Sequence, residues 1–207
     1  MHFREADNED LESVTDLLAN AFLEYPLFTT IEKDKDKRYQ WLYELQYINA
    51  KLYIAKYKCF VVIDQQNILG VALLKNLQEG QRDIFSYLRF GFLRLLFRGL
   101  LFKTMKYLKL LKSVDNAIFQ QQDNAWYLDF LAISNKAQGL GLGSEILDCV
   151  IYPYIKKQGG GQLILASNTE LNRKFYKKNG FDEFKEEKLM LGESIVKEWS
   201  YRKKIFV

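Results

Sequence analysis

Glycines at alternate positions form the most informative short motif in the chain. They lie in QGLGLG at residues 138–143, between an apolar run over 126–133 and an apolar-periodic segment that opens at Ser144. Glycine lets a backbone approach a ligand closely, and the unpaired N–H groups and dipole of a helix N-terminus favour negative charge. The spacing therefore predicts an anion site between a strand and a helix, with a shape suited to a pyrophosphate.

Two familiar nucleotide-binding motifs do not fit this turn. A dinucleotide site needs G-x-G-x-x-G and an acidic residue at the end of the next strand, whereas these glycines fall at 139, 141 and 143 and the next strand ends in Ala166-Ser167-Asn168. A phosphate loop for ATP or GTP needs Lys and then Ser or Thr after its last glycine. Here Gly143 is followed by Ser144 and Glu145.

The order of motifs around the turn resembles the GCN5-related N-acetyltransferases (the GNAT family). Gln138, Gly141 and Gly143 fit the family's Q/R-x-x-G-x-G/A acetyl-CoA signature, and FYKKNGF at 175–181 fits its second landmark. The resemblance is strong over 126–184, follows the family's general order over 2–75, and does not extend to 84–113. It implies one domain over 1–207 with an α/β (α+β) fold. The expected sheet is mixed, mostly antiparallel and of about seven strands, splayed between the central strand and the next, with helices on both faces and an inserted basic helical segment at about 84–113.

The resemblance also implies a reaction, namely direct transfer of an acetyl group from acetyl-CoA, as cosubstrate, to an amine without a metal ion. The backbone of the central strand would pair with the pantetheine arm, and the amides of the glycine turn would hold the diphosphate. The family's usual cofactor-contacting asparagine corresponds to Thr169 here, so Asn168 or Asn172 would substitute for it. The remaining residues assigned to the cofactor are Leu131, Ala132, Ile133, Gln138, Gly139, Leu140, Gly141, Leu142, Gly143 and Ser144.

Tyr176 occupies the position at which the family keeps its general acid. A phenol with a pKa near 10 can protonate a departing thiolate of pKa about 8.5 or above. The alternative role for Tyr176 is that of an ordinary core tyrosine. Asp129, on the central strand, is the candidate base for the acceptor ammonium; alternatively it caps a loop or pairs with a cation, and a water chain removes the proton. Lys136, Arg173 and Lys174 are candidates for the 3′-phosphate, or else solvated charges.

Hydrophobic periodicity and turn residues predict the other elements. Asp7 is expected to cap a helix with help from Asp10, Pro26 to end it in a loop over 25–30, and Pro153 to kink or end a later helix. Gly180 takes the C′ position of a short helix. The predicted strands are 2–6, 59–63, 68–74, 163–166, 181–190 and 195–206, and the predicted helices are 8–23, 36–52, 144–158 and 170–179.

Residues 84–113 combine large apolar side chains with seven cations, and no acid lies between Asp83 and Asp115. Gly91 and Gly99 would weaken a single helix, so two or more short helices are expected. Such a segment can be a basic amphipathic surface for an anionic membrane or a partner. We favour the alternative, an inserted helical cap whose apolar faces pack on the domain.

The acceptor is expected to be a small-molecule amine or an anionic molecule, because the basic insertion would repel a cationic peptide. Some of the aromatic side chains in the first third of the chain would line its pocket, although most should be core: Tyr25, Phe28, Tyr39, Trp41, Tyr43 and Tyr47. A second hypothesis is a non-catalytic acyl-CoA sensor or membrane-surface adaptor.

Composition sets the broad class. The chain has 207 residues, 48% hydrophobic and 27% charged, with net charge +4 and pI about 8.8. This balance favours one domain with a full core and argues against nucleic acid as a partner. The charged first residues and the lack of a long apolar run predict a cytoplasmic protein without a membrane span. Cys59 and Cys149 lie in apolar runs and are expected to be buried thiols.

Overall fold

The computed structural model describes residues 1–79, 88–108, 124–191 and 194–207. The strands in these ranges are β1 (His2–Glu5), β2 (Lys58–Asp64), β3 (Asn67–Asn76), β4 (Ala125–Ile133), β5 (Gly161–Ser167), β6 (Asp182–Leu191) and β7 (Ser194–Ile205). The α-helices are α1 (Leu11–Ala21), α2 (Pro26–Ile31), α3 (Lys35–Lys56), α4 (Leu93–Phe97), α5 (101–108), α6 (Leu142–Ile146, Leu147–Ile151 and Tyr152–Lys157 in succession) and α7 (Glu170–Lys178). Short 3-10 turns cover Asn8–Asp10 and Leu77–Glu79, and a π turn covers Leu88–Phe92.

The strands form one seven-stranded sheet in the order β1-β2-β3-β4-β5-β7-β6. Neighbouring strands are antiparallel except β4 and β5, which are parallel and are joined by the crossover helix α6. This parallel pairing covers only residues 125–127 of β4, which lie opposite residues 162–164 of β5. Beyond Tyr127 the two strands separate, which confirms the mixed, splayed sheet expected from the sequence.

A β-bulge at Asp129 resets the alternation of β4. Leu73 of β3 lies opposite Phe130 and Leu74 lies opposite Leu128, so Asp129 is the extra residue on β4. Bulges bend a strand and re-aim its side chains. Accordingly, Leu128 packs with the α6 side of the core, whereas Phe130 packs with the α1 and α3 side.

Helices cover both faces of the sheet. On one face, α1 and α3 bury apolar residues such as Val14, Leu18 and Ile48 against the sheet. On the other face, α6 buries Leu147, Ile151 and Ile155, none of which is accessible to solvent. Cys149 lies off this α6 stripe and is exposed, so the prediction that it is buried was wrong, whereas Cys59 is a buried free thiol as predicted.

The predictions of where helices begin, end or bend had mixed outcomes. Asp7 and Asp10 form the predicted capping box. The loop predicted over 25–30 was wrong, because Pro26 starts α2 as its N1 residue, where a missing N–H and a fixed φ suit a helix. At Pro153 the helix does not end: the π turn Leu147–Ile151 precedes it and absorbs the lost hydrogen bond, and α6 continues to Lys157.

The described part of the inserted segment packs on the domain, as the cap interpretation predicts. Leu95, Thr104 and Tyr107 are buried, and the Trp41 indole N–H donates a 3.0 Å hydrogen bond to the Thr104 hydroxyl. Arg94 and Arg98 of this segment both pair with Glu44 of α3, which is almost fully buried. The rest of the predicted insertion, 84–87 and 109–113, lies outside the described residues.

Candidate active site

A cleft that is open to solvent lies where β4 leaves β5. Strand β4 supplies one wall, and the end of β5 with the start of α7 supplies the opposite wall. Its lining residues are Phe22, Tyr25, Leu27, Phe28, Tyr107, Tyr127, Leu128, Asp129, Phe130, Leu131, Ala166, Ser167, Asn168, Asn172, Tyr176 and Glu198. The splay thus brings together residues that are separated by more than a hundred positions in the chain.

The far half of β4 presents a strand edge to this cleft. Leu131, Ala132 and Ile133 pair with β3 on one side, but β5 does not pair with them on the other. Backbone groups on such an edge can pair with an extended ligand, as in strand addition. One of these backbone groups, the Ile133 carbonyl, already accepts a 3.2 Å hydrogen bond from the side-chain amide of Gln138.

The glycine turn presents bare backbone. Gly139 and Gly141 have φ of +80° and +85°, a left-handed conformation that favours glycine. Across 138–143, including exposed Leu140 and buried Leu142, no backbone N–H donates to a group in the described residues. The Ser144 N–H is committed, since it donates a 2.9 Å hydrogen bond to the Gly141 carbonyl. The amides that remain for an anion are therefore those of 138–143.

Gly143 serves packing. A Cβ at this position would lie 3.0 Å from Cζ of Phe175, which belongs to the second sequence landmark. The absence of that Cβ lets α6 and α7 approach each other, so the two landmarks meet in space. The glycine turn and the residue after Phe175 are thereby held in a fixed relation.

Tyr176 is buried on α7 and lines the cleft. Phe175, Phe181 and Tyr201 hold its ring, with centroid distances of 5.1, 5.5 and 5.4 Å. Burial raises the pKa of the Tyr176 hydroxyl above its ordinary value, so the phenol stays protonated at neutral pH. Within the described ranges no group hydrogen-bonds to this hydroxyl, which leaves the proton for a ligand.

Asp129 is half-buried at the bulge of β4 and lines the same cleft. Its Oδ2 accepts a 2.8 Å hydrogen bond from the Tyr53 hydroxyl. Tyr53 lies on α3, 76 positions earlier, and the sequence analysis did not single it out. The two catalytic candidates thus come from different elements to one cleft.

Asn168 and Asn172 both line the cleft, and both are engaged with the protein. The backbone N–H of Asn168 donates to the Tyr25 hydroxyl at 2.7 Å, and the Asn168 side chain donates to the Lys197 carbonyl at 2.9 Å. The Asn172 side chain donates to the Ser167 hydroxyl at 3.0 Å. Thr169, at the family's asparagine position, caps α7 by accepting from the Asn172 N–H.

The aromatic candidates separate into two groups. Tyr25 and Phe28 line the cleft, whereas Tyr39, Trp41, Tyr43 and Tyr47 do not. The sequence analysis missed Tyr107 and Glu198, which contribute to the cleft from the inserted segment and from β7. Glu198 is 5% exposed, and with Asp129 it makes two carboxylates in the lining.

The candidates for the 3′-phosphate differ in availability. Arg173 is paired with Glu183 at 2.7 Å and stacks over Trp199, whereas Lys136 and Lys174 are exposed. In the described parts of the chain, no cluster of His, Cys, Asp and Glu side chains is arranged like a metal site. The helices of those parts also lack the combination of length and apolar character that crossing a bilayer requires.

Comparisons with known proteins give a consistent result. Residues 113–197 match the model of the acetyltransferase (GNAT) domain. An acetyltransferase structure from Corynebacterium glutamicum, described as a histone acetyltransferase and related acetyltransferase, is 20% identical with a TM-score of 0.60, covering 99% of this chain and 96% of its own. The polyamine N-acetyltransferase of Drosophila melanogaster, which forms N-acetylagmatine, is 13% identical with a TM-score of 0.65, covering 98% and 99%.

A structure of agmatine N-acetyltransferase is 12% identical with a TM-score of 0.65, covering 98% of each chain. No curated protein matches the chain significantly. The structural matches establish the fold along nearly the whole chain, and the family-model match falls on the segment that carries both sequence landmarks. The chain therefore has the fold of the GNAT acetyltransferases, and its residues 113–197 match the model of their domain.

Proposed function

We propose that the protein transfers an acetyl group from acetyl-CoA to the amino group of a small molecule. One observation carries the proposal: Tyr176 of α7 and Asp129 of β4 line one cleft, at the point where β4 leaves β5 and the glycine turn follows. A proton donor and a proton acceptor on either side of one cleft are what acyl transfer to an amine requires.

Acetyl-CoA would lie along the open edge of β4 and end at the glycine turn. Its diphosphate would be held by backbone N–H groups of the glycine turn, because these groups have no acceptor in the described residues. They belong to Gln138, Gly139, Leu140, Gly141, Leu142 and Gly143. Leu131, Ala132 and Ile133 would pair with the pantetheine arm through their backbone. Asn168 and Asn172 would hold the adjoining wall, each through contacts that the protein already makes.

The chemistry follows from the two side chains. The acceptor ammonium gives a proton to Asp129, directly or through water, and its nitrogen then attacks the thioester carbonyl carbon. The carbon–sulfur bond breaks, and Tyr176 protonates the departing thiolate. Two protons leave the nitrogen, one ends on the coenzyme A thiol, and the other reaches solvent. The position of Tyr176 in the lining of the cleft supports its role, because a general acid must come within hydrogen-bond reach of the leaving thiolate.

The lining of the cleft supports a cationic amine rather than an anionic acceptor, the other class that the sequence left open. Asp129 and Glu198 contribute carboxylates, and Tyr25, Phe28 and Tyr107 supply aromatic faces that suit an ammonium group. The agmatine and polyamine acetyltransferases, whose fold is similar, act on acceptors of this kind.

The test is release of free thiol from acetyl-CoA across a panel of small monoamines, diamines and guanidino-amines, with product identified by mass spectrometry. Calorimetry with coenzyme A measures binding separately from turnover. Acetylated product with wild-type protein supports the proposal. Coenzyme A binding without product on any amine would support the second candidate, a non-catalytic acyl-CoA sensor, and absence of both would remove the proposal. We retain the cytoplasm as the expected compartment, where acetyl-CoA is available to the reaction.

A further inference from the structure

The corner between α4 and α5 exposes a hydrophobic surface. Phe97 and Phe102, on either side of the turn, are each 84% exposed, and Leu96 and Met105 are about half exposed. We call these four residues the hydrophobic corner. None of them lines the active-site cleft. Large apolar side chains exposed together, unlike scattered single ones, mark interaction surfaces.

The corner is a built structure. Gly99, with φ of +66°, ends α4 in a Schellman motif: its N–H donates to the Leu96 carbonyl at 3.1 Å, and the Leu100 N–H donates to the Leu95 carbonyl at 2.9 Å. Leu95 and Tyr107 are buried on the inner side of the two helices. The exposed phenylalanines are therefore the outer side of helices whose inner side is anchored.

Positive charge surrounds this corner. Residues 88–108 contain five cations and no acid: Arg89, Arg94, Arg98, Lys103 and Lys106. Two acids from neighbouring helices, Glu44 and Glu32, pair with three of them. Lys106 is exposed and has no ion-pair partner within the described ranges. The surface consequently stays positively charged around an apolar centre.

We propose that the hydrophobic corner docks the protein on an anionic membrane surface. Phenylalanine, leucine and methionine side chains on short helices, flanked by Lys and Arg, have the composition of an interfacial membrane anchor, in which apolar residues enter the headgroup boundary and cations meet anionic lipids. The corner stands on a helical turn, and the cations around it are complementary to an anionic bilayer surface. Because α5 also contributes Tyr107 to the cleft, docking fixes the acceptor end of the cleft relative to the bilayer.

The first experiment is co-sedimentation of the full chain with vesicles of phosphatidylglycerol and phosphatidylcholine in equal parts, and with vesicles of phosphatidylcholine alone. The wild-type protein should pellet with the anionic vesicles and much less with the neutral ones, and added salt should release it. The double variant Phe97→Ser/Phe102→Ser should lower the partition coefficient by about tenfold or more, since both apolar anchors are lost. Lys106→Gln should lower it by about fivefold, because one cation is lost.

A matched control is Ile195→Ser/Phe206→Ser. These residues are 56% and 66% exposed, on β7 and directly after it, so this double variant also removes exposed apolar area and should bind vesicles like wild type. Circular dichroism checks that both double variants fold. Equal pelleting of the wild type and Phe97→Ser/Phe102→Ser, or no pelleting of the wild type with anionic vesicles, would overturn the proposal.

Fluorescence gives an independent readout. The native tryptophans, Trp41, Trp126 and Trp199, are all buried, so Phe97→Trp adds the one exposed indole among the described residues. Anionic vesicles should shift its emission to the blue, and neutral vesicles should not. Light scattering tests the alternative that a second copy of the chain covers the corner. In that case the wild type would be a dimer, Phe97→Ser/Phe102→Ser would be a monomer, and neither would bind vesicles. This result would refute membrane docking.

Discussion

The Tyr53 hydroxyl donates a 2.8 Å hydrogen bond to Oδ2 of Asp129, and so ties helix α3 to the bulge of the central strand. Tyr53 is buried, and Asp129 lines the cleft. The hydrogen bond fixes the carboxylate of the candidate base in one direction. We therefore regard Tyr53 as a positioning residue for Asp129.

This relationship predicts graded effects. Asp129→Asn should lower kcat by about 100-fold, the usual contribution of a general base. Tyr53→Phe should lower kcat by about fivefold, because one hydrogen bond is worth about 1 kcal/mol. Combining them should cost no more than Asp129→Asn alone.

Tyr57→Phe is the matched control, since Tyr57 is buried beside Tyr53 with ring centroids 5.2 Å apart and should keep full activity. If Asp129→Asn turns over as fast as the parent, Asp129 is not the base.

Replacing Tyr176 with Phe removes the proposed proton donor and keeps the ring. We expect kcat to fall by about 100-fold or more while the Kd for coenzyme A stays within about twofold, because the phenol acts on the leaving thiolate. Tyr152→Phe is the control: Tyr152 is another tyrosine whose burial raises its pKa, and it lines a separate cavity. Equal turnover in Tyr176→Phe and the parent would reassign Tyr176 to the core.

The raised pKa of Tyr176 also predicts how stability depends on pH. The unfolded chain releases this proton near pH 10, and the folded protein releases it at higher pH. The contribution to stability is therefore complete below pH about 10 and is lost as pH rises further. Denaturant titrations between neutral pH and pH about 11 should show a smaller alkaline loss for Tyr176→Phe. A parallel decline in the two proteins would contradict the assignment.

Gly141→Ala should weaken coenzyme A binding by about tenfold or more, because the left-handed φ of +85° cannot be kept by alanine without strain and the amides of the turn lose their arrangement. Pantetheine, which lacks the diphosphate, should bind the variant and the parent alike. Gly99→Ala introduces the same kind of backbone strain, at φ of +66°, at a position outside the glycine turn. Calorimetry should find its Kd for coenzyme A unchanged; equal losses in both variants would indicate general destabilisation.

Glu44→Gln should loosen the inserted segment. Glu44 is 1% exposed and pairs with both Arg94 and Arg98, so its loss leaves two cations without their shared acid. We expect the free energy of unfolding to drop by about 1–3 kcal/mol. Because α5 supplies Tyr107 to the cleft, KM for the amine should rise more than the Kd for coenzyme A.

Limited proteolysis should also cut the Glu44→Gln variant faster at Arg98. Glu5→Gln, in an exposed pair with Lys58, is the control and should change neither stability nor KM appreciably. An unchanged cleavage rate in Glu44→Gln would show that the anchor lies elsewhere.

The ion pair between Asp10 and Arg4 predicts a contribution to folding stability that is lost in acid. Asp10 accepts hydrogen bonds from Arg4 at 2.5 and 2.8 Å and from the Asp7 N–H at 2.9 Å, and its pKa is lowered chiefly by Arg4. Asp10→Asn should cost about 1–2 kcal/mol of stability at neutral pH. A lowered carboxyl pKa means that this stability is present above the unfolded value and is lost as pH falls through the folded one. The two proteins should therefore converge in acid, and a constant difference down to low pH would refute the ion-pair account.

Much of the site could be predicted from the sequence, because its signals are local. Alternate glycines before a helix, a capping box at Asp7, and a glycine after a short helix act through contacts between residues a few positions apart. The phenol of Tyr176 belongs to such a segment. The glycine turn and the strand before it could accordingly be predicted from the sequence, and the splayed sheet from the family resemblance.

The partners of that segment depended on the tertiary structure. The bulge that re-aims Asp129 arises from its register with β3, and the register is a property of two strands. Tyr107 and Glu198 reach the cleft from α5 and β7, and Tyr53 of α3 hydrogen-bonds to Asp129 in its lining. No short-range pattern records which side chains the splayed strands will bring together. The sequence by itself determined the glycine turn and the short helix that carries Tyr176, since backbone conformation and capping are local; only long-range pairing of strands and helices decided what surrounds them.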